Sequence, residues 1–282
     1  MIHLAYDGSI NGDWVAWYAL NLARRTPDRR LRVLYIDTHE IETENVRSKV
    51  AVIDSACADA GVKMHFDIVP SSGANAQSIF TDICAHIPAD PETLLVCGAR
   101  LKAGGRGYLS GTVAENLLSD QTFSVVAIRV AQPGLLGAPQ HFLVPVAGDR
   151  EGILMGANIL KRFAPDVARI TLLRVMMIKH QLFRRLLNNQ AQQLREKGWA
   201  SLSGLVPELS NLTGIEEERI DSNVVVSDDW AHEVIIAANR HKSHLILMEA
   251  PIKDLRHDFV YGNPVEVVLR DAPCDVAIYR GV

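Results

Sequence analysis

An internal repeat is the feature of this 282-residue sequence that most constrains its fold. When the chain is shifted against itself by 151 positions, residues 98–129 align without a gap on residues 249–280, and eight of the 32 pairs are identical. The order of apolar and polar segments repeats as well: an apolar run, a loop, a helix-like segment and a second apolar run. Self-similarity over this length indicates two copies of one domain joined head to tail.

Short apolar runs alternate with helix-like segments in both copies, which predicts parallel strands joined by right-handed helical crossovers. The expected fold is α/β, with two tandem doubly wound, mostly parallel five-stranded sheets. A Gly- and Pro-rich stretch at 131–140 separates a first domain at 1–130 from a second at 141–282. Predicted strands lie at 2–6, 31–36, 63–69, 94–97 and 125–130, and again at 142–146, 170–175, 219–226, 245–248 and 276–279.

Composition and charge exclude several classes of protein. With 48% hydrophobic and 22% charged residues the chain is typical of globular domains, and its net charge of -4 gives no field that attracts nucleic acid. The sequence begins with a predicted strand and has no apolar run of the ~20 residues that span a bilayer. We therefore expect a cytoplasmic protein without a membrane or nucleic-acid partner. Its scattered cysteines are expected to be buried free thiols: Cys57, Cys84, Cys97 and Cys274.

Two segments of the first copy are candidates for ligand binding, because doubly wound sheets bind ligands beyond the carboxyl ends of their strands. One is the turn Asp7-Gly8-Ser9 after the first strand. The other is the loop 98–112 after the fourth strand, which leads into a helix near Gly111 and Thr112 and carries Arg100, Lys102 and Arg106 without an acidic residue. Glycines, a helix N-terminus and positive charge suit a phosphate group. A mobile loop with a threonine cap is the alternative interpretation.

The spacing of this loop resembles the phosphate loop of the universal stress protein family, G-x2-G-x9-G-(S/T), in tandem-domain form. Gly98, Gly111 and Thr112 match it, whereas Leu101 stands at the second glycine, where its Cβ would crowd a phosphate. The resemblance implies that Asp7-Gly8-Ser9 and Ile36 hold a nucleoside, while Gly98, Arg100, Gly111 and Thr112 hold its phosphates. It also implies ATP or another adenine nucleotide as ligand, accompanied by Mg²⁺ or Mn²⁺.

The second copy departs further from this pattern. Glu249, Ile252 and Asn263 replace motif residues, and Gly148 takes the place assigned to Asp7. The charges between 249 and 263 sum to -1, against +3 in the first loop, which disfavours phosphate. The second copy is therefore interpreted as a degenerate structural or regulatory domain.

Catalytic and metal-binding residues are not indicated. Ser9, Ser72 and Ser110 lack the Gly-x-Ser-x-Gly elbow, and His241 and His244 have no third ligand near in sequence. We expect a stress-response regulatory protein with at most slow ATP hydrolysis. An interaction scaffold with lapsed loops is the second hypothesis. An enzyme of the nucleotide alpha-hydrolase type is a weaker third, because the N-terminal Ser-Gly-Gly loop is missing.

Two packing expectations complete the sequence interpretation. By resemblance, the final strands of the two copies pair within one chain, and a homodimer beyond that is left open. A long helix predicted over 181–209 presents one apolar face that we expect to be buried, with contact to a partner as the alternative; it is formed by Phe183, Leu186, Leu187 and Leu194.

Overall fold

The computed structural model describes residues 1–90, 92–99, 108–109, 111–120, 122–146, 150–183, 186–250 and 263–281, with the side chains of 150–155 left aside. These residues group into two compact units. The first unit is built mainly from Met1–Ala138 and the second mainly from Pro139–Glu249.

The first unit is a parallel sheet with helices between successive strands. Its strand order is β3-β2-β1-β4-β5, and the strand pairs run parallel. The strands are β1 (Ile2–Tyr6), β2 (Arg30–Asp37), β3 (Lys63–Pro70), β4 (Leu94–Gly98) and β5 (Ser124–Arg129). The helices are α1 (Ile10–Ala23), α2 (Thr43–Asp59), α3 (Ala76–His86) and α4 (Val113–Ser119).

The second half of the chain repeats this arrangement with the order β10-β9-β6-β7-β8. Its strands are β6 (His141–Pro145), β7 (Arg169–Met177), β8 (Ile220–Ser227), β9 (Leu245–Glu249) and β10 (Asp275–Arg280). Its described helices are α5 (Arg150–Phe163), α6 (His180–Phe183), α7 (Asn188–Ser203), α8 (Leu205–Thr213), α9 (Trp230–Arg240) and α10 (Pro264–Asp271). The predicted fold class, two mostly parallel α/β sheets of the doubly wound type, is confirmed.

Sequence patterning explains why these segments form buried strands and well-defined helices. β4 is apolar along its length and β1 is apolar apart from His3, and both strands are almost fully buried, as expected for strands covered on both faces. Ser9 and Asn75 lie just before α1 and α3, and their side chains accept backbone N–H groups of the first turn. Strand order reverses between β1 and β4, so the carboxyl ends of these strands flank the expected ligand position.

The single helix predicted over 181–209 is wrong. The structure has α6, α7 and α8 in its place, with α7 ending at Ser203. Pro207 accounts for this boundary, because its ring would clash with the carbonyl group of Ser203 in a continuous helix. The predicted burial is also wrong for two residues, since Phe183 is 38% and Leu187 is 60% exposed.

The cysteine prediction holds for three of the four residues: Cys57, Cys97 and Cys274 are buried free thiols, whereas Cys84 is half-buried. Among the described residues, no helix combines the length and apolar character needed to cross a membrane.

Candidate functional site

A cavity of about 370 Å³ opens at the carboxyl ends of β1, β2 and β4. Five residues predicted from the sequence line it: Asp7, Ile36, Gly98, Gly111 and Thr112. They come from separate segments of the first unit and meet because parallel strands end at the same edge of the sheet. Gly8 and Ser9 do not line the cavity, and Arg100 and Leu101 lie outside the described residues.

The walls of the cavity differ in polarity. Its apolar lining residues include Leu34, Ile36, Ile79 and Ile83. Its polar groups include the carboxylates of Asp7 and Glu40, and no lysine, arginine or histidine is among its described lining residues. A cavity lined mainly by apolar residues with a few polar groups suits a flat ring that carries hydroxyl groups.

The turn after β1 fixes the position of Asp7. Its carboxylate accepts hydrogen bonds from the backbone N–H of Ser9 at 3.0 Å and from the Ser9 hydroxyl at 2.6 Å. The Ser9 hydroxyl also accepts the N–H of Gly12 at 3.0 Å, so the turn leads directly into α1. Gly8 has a φ of +70°, which favours glycine at this point. Gly8 and Ser9 therefore shape the turn, and Asp7 faces the cavity.

Lys49 holds the Asp7 turn in place from outside the cavity lining, and the sequence interpretation missed it. From α2, its ammonium group donates to the carbonyl oxygen of Gly8 at 2.7 Å and to the carboxylate of Asp13 at 2.8 Å. Asp13 also accepts a hydrogen bond from the Tyr6 hydroxyl, and burial, reinforced by this bond, raises the pKa of Tyr6. The cluster ties α1, α2 and the Asp7 turn together. Because Lys49 lies 41 residues from Gly8, no local sequence pattern predicts the contact.

Gly98 and Cys97 form the end of β4 beside the cavity. A Cβ on Gly98 would lie 2.7 Å from the side-chain nitrogen of Asn11, so a larger residue would require that side chain to move. Burial, with a smaller contribution from the negative charge of Asp7, raises the pKa of Cys97 to about 12. The thiol therefore stays protonated near neutral pH and offers no nucleophile.

Gly111 and Thr112 lie directly before α4, close to the helix start predicted from the sequence, and Thr112 is the N-cap. Gly111 has a φ of +71°, and its N–H donates to the Glu115 carboxylate at 2.6 Å. The Thr112 hydroxyl accepts the N–H of Glu115 at 3.3 Å and donates to the carbonyl oxygen of Leu109 at 2.6 Å. Glu115 was missed, although Thr112-x-x-Glu115 is the sequence pattern of a capping box. A ligand phosphate that used the Gly111 N–H would have to displace this carboxylate.

The second unit carries a different arrangement at the corresponding helix. Asn263 precedes α10, and its side chain accepts the N–H of Val265 at 2.8 Å. Gly148, Ile252 and Gly262 lie outside the described residues. His244 stacks on His141 with a ring-centroid separation of 4.7 Å, and burial lowers its pKa. Within the described ranges, no group of three or more His, Cys, Asp or Glu side chains is arranged to hold a metal ion.

Comparison with known proteins identifies the fold. No protein-family model and no curated protein sequence matches the chain. Solved structures do: a universal stress protein from Archaeoglobus fulgidus is 14% identical and matches over 98% of this chain and 95% of its own, with a TM-score of 0.61. A putative universal stress protein from Pseudomonas aeruginosa, also 14% identical, matches over 98% of this chain and 91% of its own at a TM-score of 0.57.

The same fold occurs in another setting. The cytoplasmic domain of a prokaryotic cation chloride cotransporter is 11% identical and matches over 99% of this chain and 94% of its own, with a TM-score of 0.59. At these identities the likeness shows the fold alone. The chain therefore has the tandem fold of the universal stress proteins, as the sequence resemblance implied.

Proposed function

We propose that the first unit binds one adenine nucleotide and that the protein acts as a nucleotide-responsive regulator in a stress response. The observation that carries the proposal is the cavity of about 370 Å³, on which Asp7, Ile36, Gly98, Gly111 and Thr112 converge. This volume is within the range of about 300–1,000 Å³ typical of small-molecule sites. The stress-response role is supported by the universal stress proteins that share the fold.

The chemistry of the walls suggests how a nucleotide would lie. The adenine ring would occupy the apolar side beside Ile36 and Ile79, and Asp7 would accept hydrogen bonds from ribose hydroxyl groups. The phosphates would extend toward Thr112 and the loop whose sequence supplies Arg100 and its neighbouring cations. Mg²⁺ or Mn²⁺ would accompany the phosphates, as it does for nucleotides in general.

An interaction scaffold is the second candidate, because the internal bond from the Gly111 N–H to Glu115 already occupies one predicted phosphate donor. Leu101 in the loop favours the same alternative. In that case the two units would serve as an assembly surface, with their final strands paired inside one chain. This pairing, a cytoplasmic location and the absence of rapid catalysis all stay predictions.

Isothermal titration of the nucleotide-free full chain with ATP, ADP and AMP, with and without Mg²⁺ or Mn²⁺, tests the proposal. We expect saturable binding to one site per chain. Absence of heat and of a thermal shift with every nucleotide would contradict it. Binding that appears only after Leu101→Gly would identify a lapsed site and support the scaffold.

Two variants locate the binding in the cavity. Ala76 lines the cavity at the start of α3, so Ala76→Trp should block binding by filling its volume. Ala58→Trp is the matched control, because Ala58 is exposed on α2 and does not line the cavity. Equal loss of binding in both variants would indicate general damage, and unchanged binding in Ala76→Trp would place the nucleotide elsewhere.

A further inference from the structure

A second cavity, of about 190 Å³, lies between α1 and α2 of the first unit and is called the interhelical cavity. On α1 it is lined by residues that lie on one face of the helix: Asp13, Ala16, Trp17 and Leu20. The lining residues of α2 repeat this spacing: Lys49, Val52, Ile53 and Ala56. The described lining of the cavity at the strand ends contains none of them, so the interhelical cavity is a separate candidate for ligand binding.

The interhelical cavity is mostly apolar and accessible from solvent. All of its lining residues except Asp13 and Lys49 are apolar. Ala16 and Leu20 are buried, whereas Val52 is 64% exposed. Water therefore covers apolar surface here, and a ligand with an apolar body gains free energy by displacing that water.

The volume of the interhelical cavity fits a ligand with one ring. Apolar cavities of about 150 Å³ in proteins bind benzene. Pockets for larger, drug-sized ligands start at about 300 Å³. Trp17, which is half-buried, lines the cavity, and contacts between aromatic rings contribute more than the burial of their area alone. Volume and lining together favour a single aromatic ring.

An ion pair supplies the polar end of the interhelical cavity. The Lys49 ammonium group lies 2.8 Å from the Asp13 carboxylate and donates to the carbonyl oxygen of Gly8 at 2.7 Å. These bonds use two of its three donors, and the Asp13 carboxylate has acceptor sites beyond those that Lys49 and Tyr6 use. The side chains of Lys49 and Asp13 are 35% and 33% exposed, so a ligand can reach both of them.

The opposite charges of this ion pair disfavour a charged ligand. A carboxylate attracted by Lys49 would be repelled by Asp13 beside it, and an ammonium group attracted by Asp13 would be repelled by Lys49. A hydroxyl group suits both, because its O–H donates to the carboxylate while its oxygen accepts from the ammonium group. Hydrogen bonds to charged groups are also stronger than those between neutral groups.

We propose that the interhelical cavity binds a small neutral aromatic molecule that carries a hydroxyl group, of the phenol class. The ring lies against Trp17 and the apolar residues of α1 and α2, and the hydroxyl group contacts Asp13 and Lys49. The proposal does not depend on nucleotide binding, since the two cavities have no described lining residue in common.

Nuclear magnetic resonance of the tryptophan indole N–H groups in the full chain tests the site. The wild-type protein is titrated near neutral pH with phenol, and separately with benzoate and with benzylamine, which are charged there. The Trp17 resonance, assigned by its absence in Trp17→Phe, should shift saturably with phenol at a Kd of about 1 mM or lower. Benzoate and benzylamine should bind at least about tenfold more weakly, and the Trp199 resonance of the second unit should not move. The proposal is overturned if phenol gives no saturable shift, or if a charged probe binds as tightly as phenol.

Two variants locate the binding in the interhelical cavity. Ala56→Phe should abolish the phenol response, because Ala56 lines the cavity and a phenyl ring at this position would fill it. Ala58→Phe is the matched control: Ala58 is exposed on the same helix and does not line the cavity, so the response should be retained.

The outcomes for these variants are distinct. Phenol binding that persists in Ala56→Phe contradicts the proposal. A wild-type dimer in sedimentation velocity that becomes a monomer in Ala56→Phe also contradicts it, because a second copy of the chain would then occupy the cavity. If Ala56→Phe fails to fold, or if Ala58→Phe loses the response as well, the comparison of phenol with the charged probes in the wild type decides alone.

Discussion

His3 on β1 should make the first unit sensitive to acid. Its side chain is fully buried, and neither ring nitrogen has a hydrogen-bond partner among the described residues. In the sheet it is paired with Arg32 on one side and Leu95 on the other. Burial, reinforced by the positive charges of Arg32 and the N-terminus, lowers the pKa of His3 from 6.5 to about 4, while Asp28 opposes the shift.

The sign of the effect follows from this direction. Because the pKa is lower in the folded state, the unfolded chain takes up the His3 proton first as the pH falls, and stability decreases below about pH 6.5. The whole pKa shift of His3 corresponds to a loss of about 3 kcal/mol in the free energy of unfolding, at 1.36 kcal/mol for each pKa unit. This loss is complete only below pH 4. Between pH 7.5 and pH 5.5 the His3 contribution to the loss is about 1.3 kcal/mol.

His3→Leu removes the titrating ring and keeps an apolar side chain in its place. At pH 7.5 the variant should be at least as stable as the wild type, because it also removes a buried N–H without an acceptor. At pH 5.5 it should retain the ~1.3 kcal/mol that the wild type loses. Urea unfolding at both pH values measures the difference.

A background with Trp199→Phe and Trp230→Phe restricts the fluorescence signal to the first unit, because the remaining tryptophans, Trp14 and Trp17, lie on α1. His232→Gln is the control variant: this histidine is exposed on α9, so its replacement should leave the acid loss as in the wild type. Equal acid losses in the wild type and in His3→Leu would refute the link between burial of His3 and pH-dependent stability.

Three further predictions test packing in the first unit. Thr112→Ala should lower the free energy of unfolding by about 1 kcal/mol in urea denaturation, because α4 loses its side-chain cap. Gly137→Ala should lower the free energy of unfolding by at least about 1 kcal/mol, since Gly137 has a φ of +67° and a Cβ would lie 2.5 Å from the backbone of α1. Gly134→Ala is the control: the space around Gly134 is open, so the free energy of unfolding should stay within about 0.5 kcal/mol of the wild-type value. Cys57 and Cys97 should resist iodoacetamide at pH 8 until urea unfolds the chain, because burial raises their pKa values to about 11 and about 12; rapid labelling of the folded protein, detected by mass spectrometry, would contradict this.

The repeat made the fold predictable because the positions of the strands and helices are indicated independently in both copies. β4 and β9, like β5 and β10, are separated by the same 151 positions that align the sequence with itself. The region between β7 and β8 was the weak point, since the two copies differ in length there and give each other no support. The residues of this region favour helix throughout, so composition did not predict the boundary before α8. That boundary depends on the clash between Pro207 and a backbone carbonyl group.

The site was predictable to the extent that it follows from strand ends. Asp7 and Gly98 come directly after or at the end of their strands, so parallel pairing alone brings them to one edge. Contacts that depend on side-chain reach between distant segments were not predictable. Lys49 reaches Gly8 from another helix, and the Glu115 carboxylate turns back to the Gly111 N–H instead of leaving it open.

The two units use one topology to present opposite charges. At the strand ends of the first unit, the described cavity lining carries the carboxylates of Asp7 and Glu40 beside the phenol ring of Tyr35. At the position of that ring, the second unit has the guanidinium group of Arg174. The two copies therefore differ in charge at the carboxyl edge of the sheet, with carboxylates in the first copy and a guanidinium group in the second.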